Sequence, residues 1–153
     1  VVFGKASGFA ALIQVSSLDG SNGFTIYAPD TEDFSGYRLS SGDVNGDGYA
    51  DVIVGAYRGD GLSNSVDDVD AGEAYVVFGK ASGFAALIQV SSLDGSNGFT
   101  IYAPDTEDFS GYRLSSGDVN GDGYADVIVG AYRGDGLSNS VDDVDAGEAY
   151  VVF

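Results

Sequence analysis

The stretch Asp43-Val44-Asn45-Gly46-Asp47-Gly48-Tyr49-Ala50-Asp51 recurs, letter for letter, at Asp118–Asp126. Oxygen-bearing side chains stand at its first, third, fifth and ninth positions. Such alternation lets side chains converge on one point while the backbone wraps around it. A hard cation such as calcium takes about six to eight oxygens at about 2.3–2.6 Å. Gly48 follows the third of these residues, where the chain must turn sharply and a positive φ is cheapest for glycine. The expected calcium ligands are therefore Asp43, Asn45, Asp47 and Asp51, with Tyr49 offering its backbone carbonyl rather than its ring. Their copies are Asp118, Asn120, Asp122, Tyr124 and Asp126, which gives about one ion per repeat. Three carboxylates supply charge, and the asparagine adds a neutral oxygen that limits repulsion. The loop differs from an EF-hand, whose twelfth position is glutamate: here it is Val54. The competing readings are an acidic turn held by Asx hydrogen bonds alone and a magnesium site, although magnesium prefers to keep several waters.

On either side of this loop the sequence reads as strands. Gly36–Ser41 is a short strand of small residues. Asp51–Tyr57 has a β-branched apolar core on both faces, as in a strand buried from two sides. Gly59–Gly72 is polar, acidic and without periodicity, hence a long loop. Glu73–Phe78 is a third strand. Gly79–Gly98 is a mixed connection in which Phe84–Ile88 is expected to tuck against the core as a helical turn. Phe99–Ala103 alternates as an outer strand should, and Pro104 ends it. No segment carries a long 3.6-residue apolar period. Four short strands per unit, repeated in tandem, predict an all-β chain built from β-propeller blades of four antiparallel strands. A solenoid coil is usually shorter, and a sandwich seldom repeats within itself.

Slid against itself by 75 positions, the sequence matches throughout: 1–75 equals 76–150, and Val151-Val152-Phe153 begins a third copy. Natural repeats drift, because most surface positions tolerate change. Identity this complete points to an engineered chain or a very recent duplication, and engineering is the expectation. The absence of methionine is read as a leader or tag that was removed or lies outside the sequence. One complete blade spans about 34–103. The second, about 109–153, lacks an outer strand, which Phe24–Ala28 of a neighbouring chain could supply. Propellers need about four to eight blades, so two cannot close. The chain is expected to partner with itself, as a trimer with six blades or, preferably, a tetramer with eight. The alternative is a window on a longer protein of identical repeats.

There are 24 acidic residues against 6 basic ones, a formal net charge of −18, with 44% hydrophobic residues. That balance excludes nucleic acid and anionic membrane surfaces as partners, since both require a Lys/Arg surplus. It favours cations. Without cysteine or histidine, disulfides, thiolate chemistry and the usual general base are absent. No apolar run approaches the roughly 18 residues of a membrane helix, and no secretory signal is visible. Paired carboxylates could in principle serve a glycosidase. Identical blades, however, would build identical sites, and no phosphate-cradling loop or nucleophile–base pair is present, so no catalytic residues are expected.

Gly36–Asp43 followed by the metal loop, then Asp51–Ala56, then Gly72–Gly79, resembles the FG-GAP repeat of integrin α-chains and of many bacterial surface or secreted proteins. Val77–Lys80 and Ser92–Phe99 are similar to the bacterial branch. The resemblance covers essentially the whole chain. It implies a calcium-binding propeller, an extracellular or secreted setting for the parent family, and the same ligands named above. Two signatures depart from it: the Phe-Gly pair is split as Phe34-Ser35-Gly36, and Gly-Ala-Pro reads Gly55-Ala56-Tyr57. The functional expectation is an engineered, self-assembling, calcium-binding scaffold without catalytic activity; the alternative is a ligand-binding adhesion module. Arg58-Gly59-Asp60 spells an integrin-binding tripeptide but arises easily at a strand exit. Asp67, Asp68, Asp70 and Glu73 are read as a solvated loop rather than a second cation site. Tyr37, Tyr57 and Tyr75 are read as packing residues.

Overall fold

The computed structural model describes residues 1–28, 30–61, 70–103, 105–136 and 145–153. Pro104 and most of the acidic loop, including Asp67 and Asp68, lie outside them. Among the described residues the strands are β1 (Thr25–Tyr27), β2 (Arg38–Gly42), β3 (Asp51–Ala56), β4 (Glu73–Val77), β5 (Leu87–Gln89), β6 (Gly98–Tyr102), β7 (Ser110–Gly117), β8 (Asp126–Ala131) and β9 (Glu148–Val152). β2-β3-β4-β6 form one antiparallel sheet, and β7-β8-β9 form a second. These are β-propeller blades, the first with four strands and the second with three.

The register follows from which residues must be buried. In the first blade Ser40 lies opposite Ile53, and Val54 opposite Tyr75. β3 then alternates cleanly. Ile53, with Ala74 and Val76 of β4, faces the second blade and packs against Val127 and Val129. Val54 and Ala56, with Tyr75, face the other way and meet Val90, Ile26 and Leu93. Both faces of the central strands are covered, as their continuous apolar pattern requires. The innermost strands β2 and β7 run side by side. Ser40 and Ser116 hydroxyls share a 3.0 Å hydrogen bond, and Ser116 donates to the Ser41 carbonyl at 2.7 Å.

Two expectations are corrected. Phe84–Ile88 is not a helical turn: Leu87–Gln89 is a strand, parallel to β1, with Ile26 opposite Ile88, and a 3-10 turn follows at Val90–Ser92. The cause is an open edge. Thr25 N–H donates to the Ala86 carbonyl at 2.9 Å, and the chain beyond pairs with β1. The identical Leu12–Gln14 has no such edge beside it and forms no strand, while Val15–Ser17 still makes the 3-10 turn. The first strand of each repeat also differs from the expected span. It starts at Arg38 in one copy but at Ser110 in the other, where Ser110 gains a bridge to Gly72 of the preceding blade.

Equivalent residues therefore sit in unequal environments. Ile53, Ala74 and Val76 are 0% exposed. Their copies are half-buried Ile128, exposed Ala149 and Val151 at 39% exposure. In a monomeric chain, Ile53→Ala is expected to cost about 2–4 kcal/mol, the range for large-to-small core changes. Ile128→Ala should cost well under half of that. Urea titration of the two variants checks it, and equal costs would show that the second face is covered too.

Candidate metal loops

The repeated acidic loop joins β2 to β3 in one blade and β7 to β8 in the other. Gly46 and Gly48 adopt φ of 73° and 87°, and their copies Gly121 and Gly123 adopt 80° and 94°, so the turn with positive φ predicted at Gly48 is present. Asp43 sits at the centre of the turn: its two carboxylate oxygens accept the N–H groups of Asp47 at 3.0 Å and Gly48 at 2.9 Å. Asn45 Oδ1 also accepts Asp47 N–H at 3.0 Å, and Asp47 Oδ1 accepts Tyr49 N–H at 2.9 Å. Asp118, Asn120 and Asp122 repeat the pattern, with Tyr124 N–H again on Asp122. The Tyr49 and Tyr124 rings are about half exposed. Positions one, three and five are thus wrapped about the same few backbone N–H groups.

The ninth position behaves differently. Asp51 is 0% exposed, and its oxygens accept Val44 N–H at 2.8 Å and Gly79 N–H at 2.7 Å. Burial pushes its carboxyl above the usual range, and the backbone donors pull it back. Asp51 ties the base of the loop to the chain leaving β4. Asp126 accepts Val119 N–H in the same way. Among the described residues, no three acidic side chains are drawn together as a ligand cluster. The donor chemistry still fits a hard cation, because carboxylate and amide oxygens that each accept one or two N–H groups keep lone pairs. Asp43, Asn45 and Asp47 would hold such an ion, with Asp51 at the base. The two loops also touch: the Tyr124 ring lies against Gly46, and Ala125 N–H donates to the Asp43 carbonyl at 2.9 Å.

Profile and pairwise comparison settle the lineage. Residues 35–77 and 110–152 each match the FG-GAP repeat. The chain belongs to the FG-GAP repeat family. Its sequence is 31% identical over 123 residues to integrin alpha-PS2 of Drosophila melanogaster, a match covering 78% of this chain and 8% of that protein. The chain thus spans a small fraction of the relative's length.

The FG-GAP framework also carries features that the sequence reading undervalued. Phe34, Tyr57, Tyr37, Tyr112, Tyr132 and Phe109 form a continuous ladder, with centroid separations from 4.7 Å between Tyr112 and Tyr132 to 6.1 Å between Tyr57 and Phe109. Tyr37 and Tyr57 are packing residues of this ladder, whereas Tyr75 is buried beside Glu73. Arg58 stacks over Phe34 and forms a bidentate pair with Asp70 at 2.9 and 3.0 Å. The Arg58-Gly59-Asp60 tripeptide therefore presents an arginine that is already engaged. The signal for the ladder was in the sequence, as aromatic residues at 34, 37 and 57 recurring 75 residues later.

At the opposite end of each blade lie buried carboxyls. Asp33 is 6% exposed and Asp108 only 1%. Burial, with repulsion from neighbouring acids, raises both to about 6. The folded state holds these protons more tightly than the unfolded chain, whose carboxyls titrate near 4. These groups therefore favour the fold at low pH, and that contribution is lost as pH rises from about 4 through about 6. In chelator, the change in Tm between pH 5 and pH 7 is expected to shrink in Asp33→Asn/Asp108→Asn; an unchanged difference would contradict it. Asp51→Ala in chelator should cost about 1–3 kcal/mol, because two N–H groups lose a buried acceptor. Exposed Asp47→Ala should stay within about 0.5 kcal/mol there. Denaturant titration with EDTA separates the two.

Proposed function

We propose that this chain is a calcium-stabilised, self-assembling propeller scaffold without catalytic activity, and that it is engineered. The observation that carries the calcium reading is the loop geometry. In both copies oxygens at positions one, three and five surround one turn, on glycines with positive φ. When bound, calcium supplies positive charge to a loop otherwise dense in carboxylates. The chain's own residues do the rest. Asp43 and Asp47 order the turn, and Asp51 fastens it to the strand exit. The hairpins between β2 and β3 and between β7 and β8 become stiffer. Affinity is expected in the weak range of extracellular modules.

Self-assembly is supported by the unequal burial of identical residues. Ile128, Ala149 and Val151 present the apolar face that the second blade covers on the first. At the other end Val2 pairs with Gly23 as Val77 pairs with Gly98. The N-terminal segment thus displays third- and fourth-strand pairing, and strand 24–28 of a neighbour fits as the outer strand beside β9. Rings of three or four chains follow, with six or eight blades. Letter-for-letter identity of the repeats supports engineering. A second reading, an adhesion module that binds a ligand on the ring's loop face, is favoured by the likeness to integrin alpha-PS2.

Thermal unfolding tests the calcium reading. An ion that binds only the folded state stabilises it by mass action, so Tm should rise with added calcium. Asp47→Ala/Asp122→Ala should hold Tm at the value found in chelator whatever the calcium concentration. A wild-type Tm that is the same in calcium and in chelator would sink the reading.

A further inference from the structure

One contact between successive repeats is made inside the chain, where the connection after β4 leans on the N-terminal segment. Phe84 stacks on Phe24 with ring centroids 4.6 Å apart, and it meets Phe3 at 5.2 Å. The Phe84 carbonyl lies against Gly20, which has a φ of 89° and no Cβ to obstruct the approach. Leu87, Ile88 and Gln89 then pair in parallel with Thr25, Ile26 and Tyr27. The Tyr27 hydroxyl donates to Gln89 Oε1 at 3.3 Å. Val90 completes the contact, 4% exposed in a cluster with Val54, Ala56 and Tyr75.

Shifted by 75 residues, the parts of this contact are present again but do not meet. The inserting half is repeated as Phe9, Leu12, Ile13 and Val15. All four are exposed, and Val15 is 70% exposed where its copy Val90 is 4%. Leu12–Gln14 forms no strand. The receiving half is repeated as Gly95, Phe99, Ile101 and Tyr150. Gly20, Phe24 and Tyr75 are buried, whereas Gly95 is exposed and Phe99 and Tyr150 are half-buried. β6 pairs with β4 on one side, and among the described residues no strand pairs with its other edge. An open strand edge is a template for another chain, and clustered exposed apolar residues mark an interaction surface.

We propose that residues 9–15 are a docking arm whose partner is a second copy of this chain. The arm lies along β6 of the neighbour in the register seen within the chain: Leu12 opposite Thr100, Ile13 opposite Ile101 and Gln14 opposite Tyr102. Phe9 stacks on the neighbour's Phe99, and Val15 covers its Tyr150. This rests on the self-assembly reading and extends it. Strand 24–28 completes the neighbour's second blade, and the arm reaches one blade further, to the first. Each junction between chains then repeats the junction within a chain. The chains follow one rotation, as a closed heterologous ring needs.

The chain has no cysteine, so an introduced pair reports a single contact. Paired strands lie about 4.8 Å apart, inside the range a disulfide spans. Full-length Leu12→Cys/Thr100→Cys, assembled under reductant and then oxidised, is expected to run as covalent oligomers up to the ring on a non-reducing gel. Ile13→Cys/Thr100→Cys is one residue out of register, which puts its thiols on opposite faces, and it should cross-link several-fold less. Equal cross-linking of the two pairs, or none of either, in a protein whose native mass is that of a ring would overturn the arm and leave self-assembly standing. A wild-type chain that stays monomeric would end both. Should the cysteine variants fail to fold, Val15→Asp decides. Val15 is exposed in the single chain, so circular dichroism should be unchanged, and the ring should be lost at concentrations where wild type is fully assembled. A Val15→Asp ring as stable as that of wild type would overturn the proposal.

Discussion

Each blade is covered mainly by the next. Ile53, Ala74 and Val76 on one sheet meet Val127 and Val129 on the other, and this face-to-face contact is what the rest of the structure depends on. A single four-stranded sheet has two apolar faces and no means of burying either alone. The opposite face of the first blade is closed by borrowed pieces: Ile26 from the N-terminal segment and Val90 and Leu93 from the connection after β4. Even the parallel pairing of β1 with β5 is a consequence, since it lays Val90 over Val54 and Tyr75. Stability therefore belongs to the stack rather than to the repeat, as in other repeat architectures.

The polar ends of the blades answer a different constraint. Sheets packed on both faces leave only their ends for loops, so a chain with a formal net charge of −18 concentrates its acids there. At one end backbone N–H groups meet the carboxylates: Asp43, Asp47 and Asp51 accept them from the loop itself and from Gly79. At the other end Asp33 and Asp108 are buried, and burial together with the repulsion of other acids raises their carboxyls. The first arrangement leaves shared oxygens around a turn. The second leaves a buried Asp108 oxygen with no partner among the described residues. Both create a demand for positive charge that six basic residues, four of them stacked on aromatic rings of the ladder, do not meet.

Much of this was legible in the sequence. The continuous β-branched run of Val52, Ile53 and Val54 marked a strand buried on both faces, and Gly48 marked the turn between strands. The tandem identity gave the blade as the unit. What the sequence could not show was anything that depends on which neighbour is present. Leu12–Gln14 and Leu87–Gln89 are the same residues, yet only the second is a strand, because only it lies beside β1. Tyr37 reads as a packing residue, and the fold makes it one rung of a partly exposed ladder that spans both blades. Asp33 and Glu73 lie 40 residues apart in the chain and carry no motif. Only the fold brings them to one end of the sheet.

The dependence of each blade on its neighbour is tested most directly by the mass of the assembled particle. Native mass spectrometry in calcium-containing buffer is predicted to show a closed ring of three or four chains, with at least two calcium ions on each. A monomer at working concentration, with Ile128 and Val151 left bare, would contradict the account.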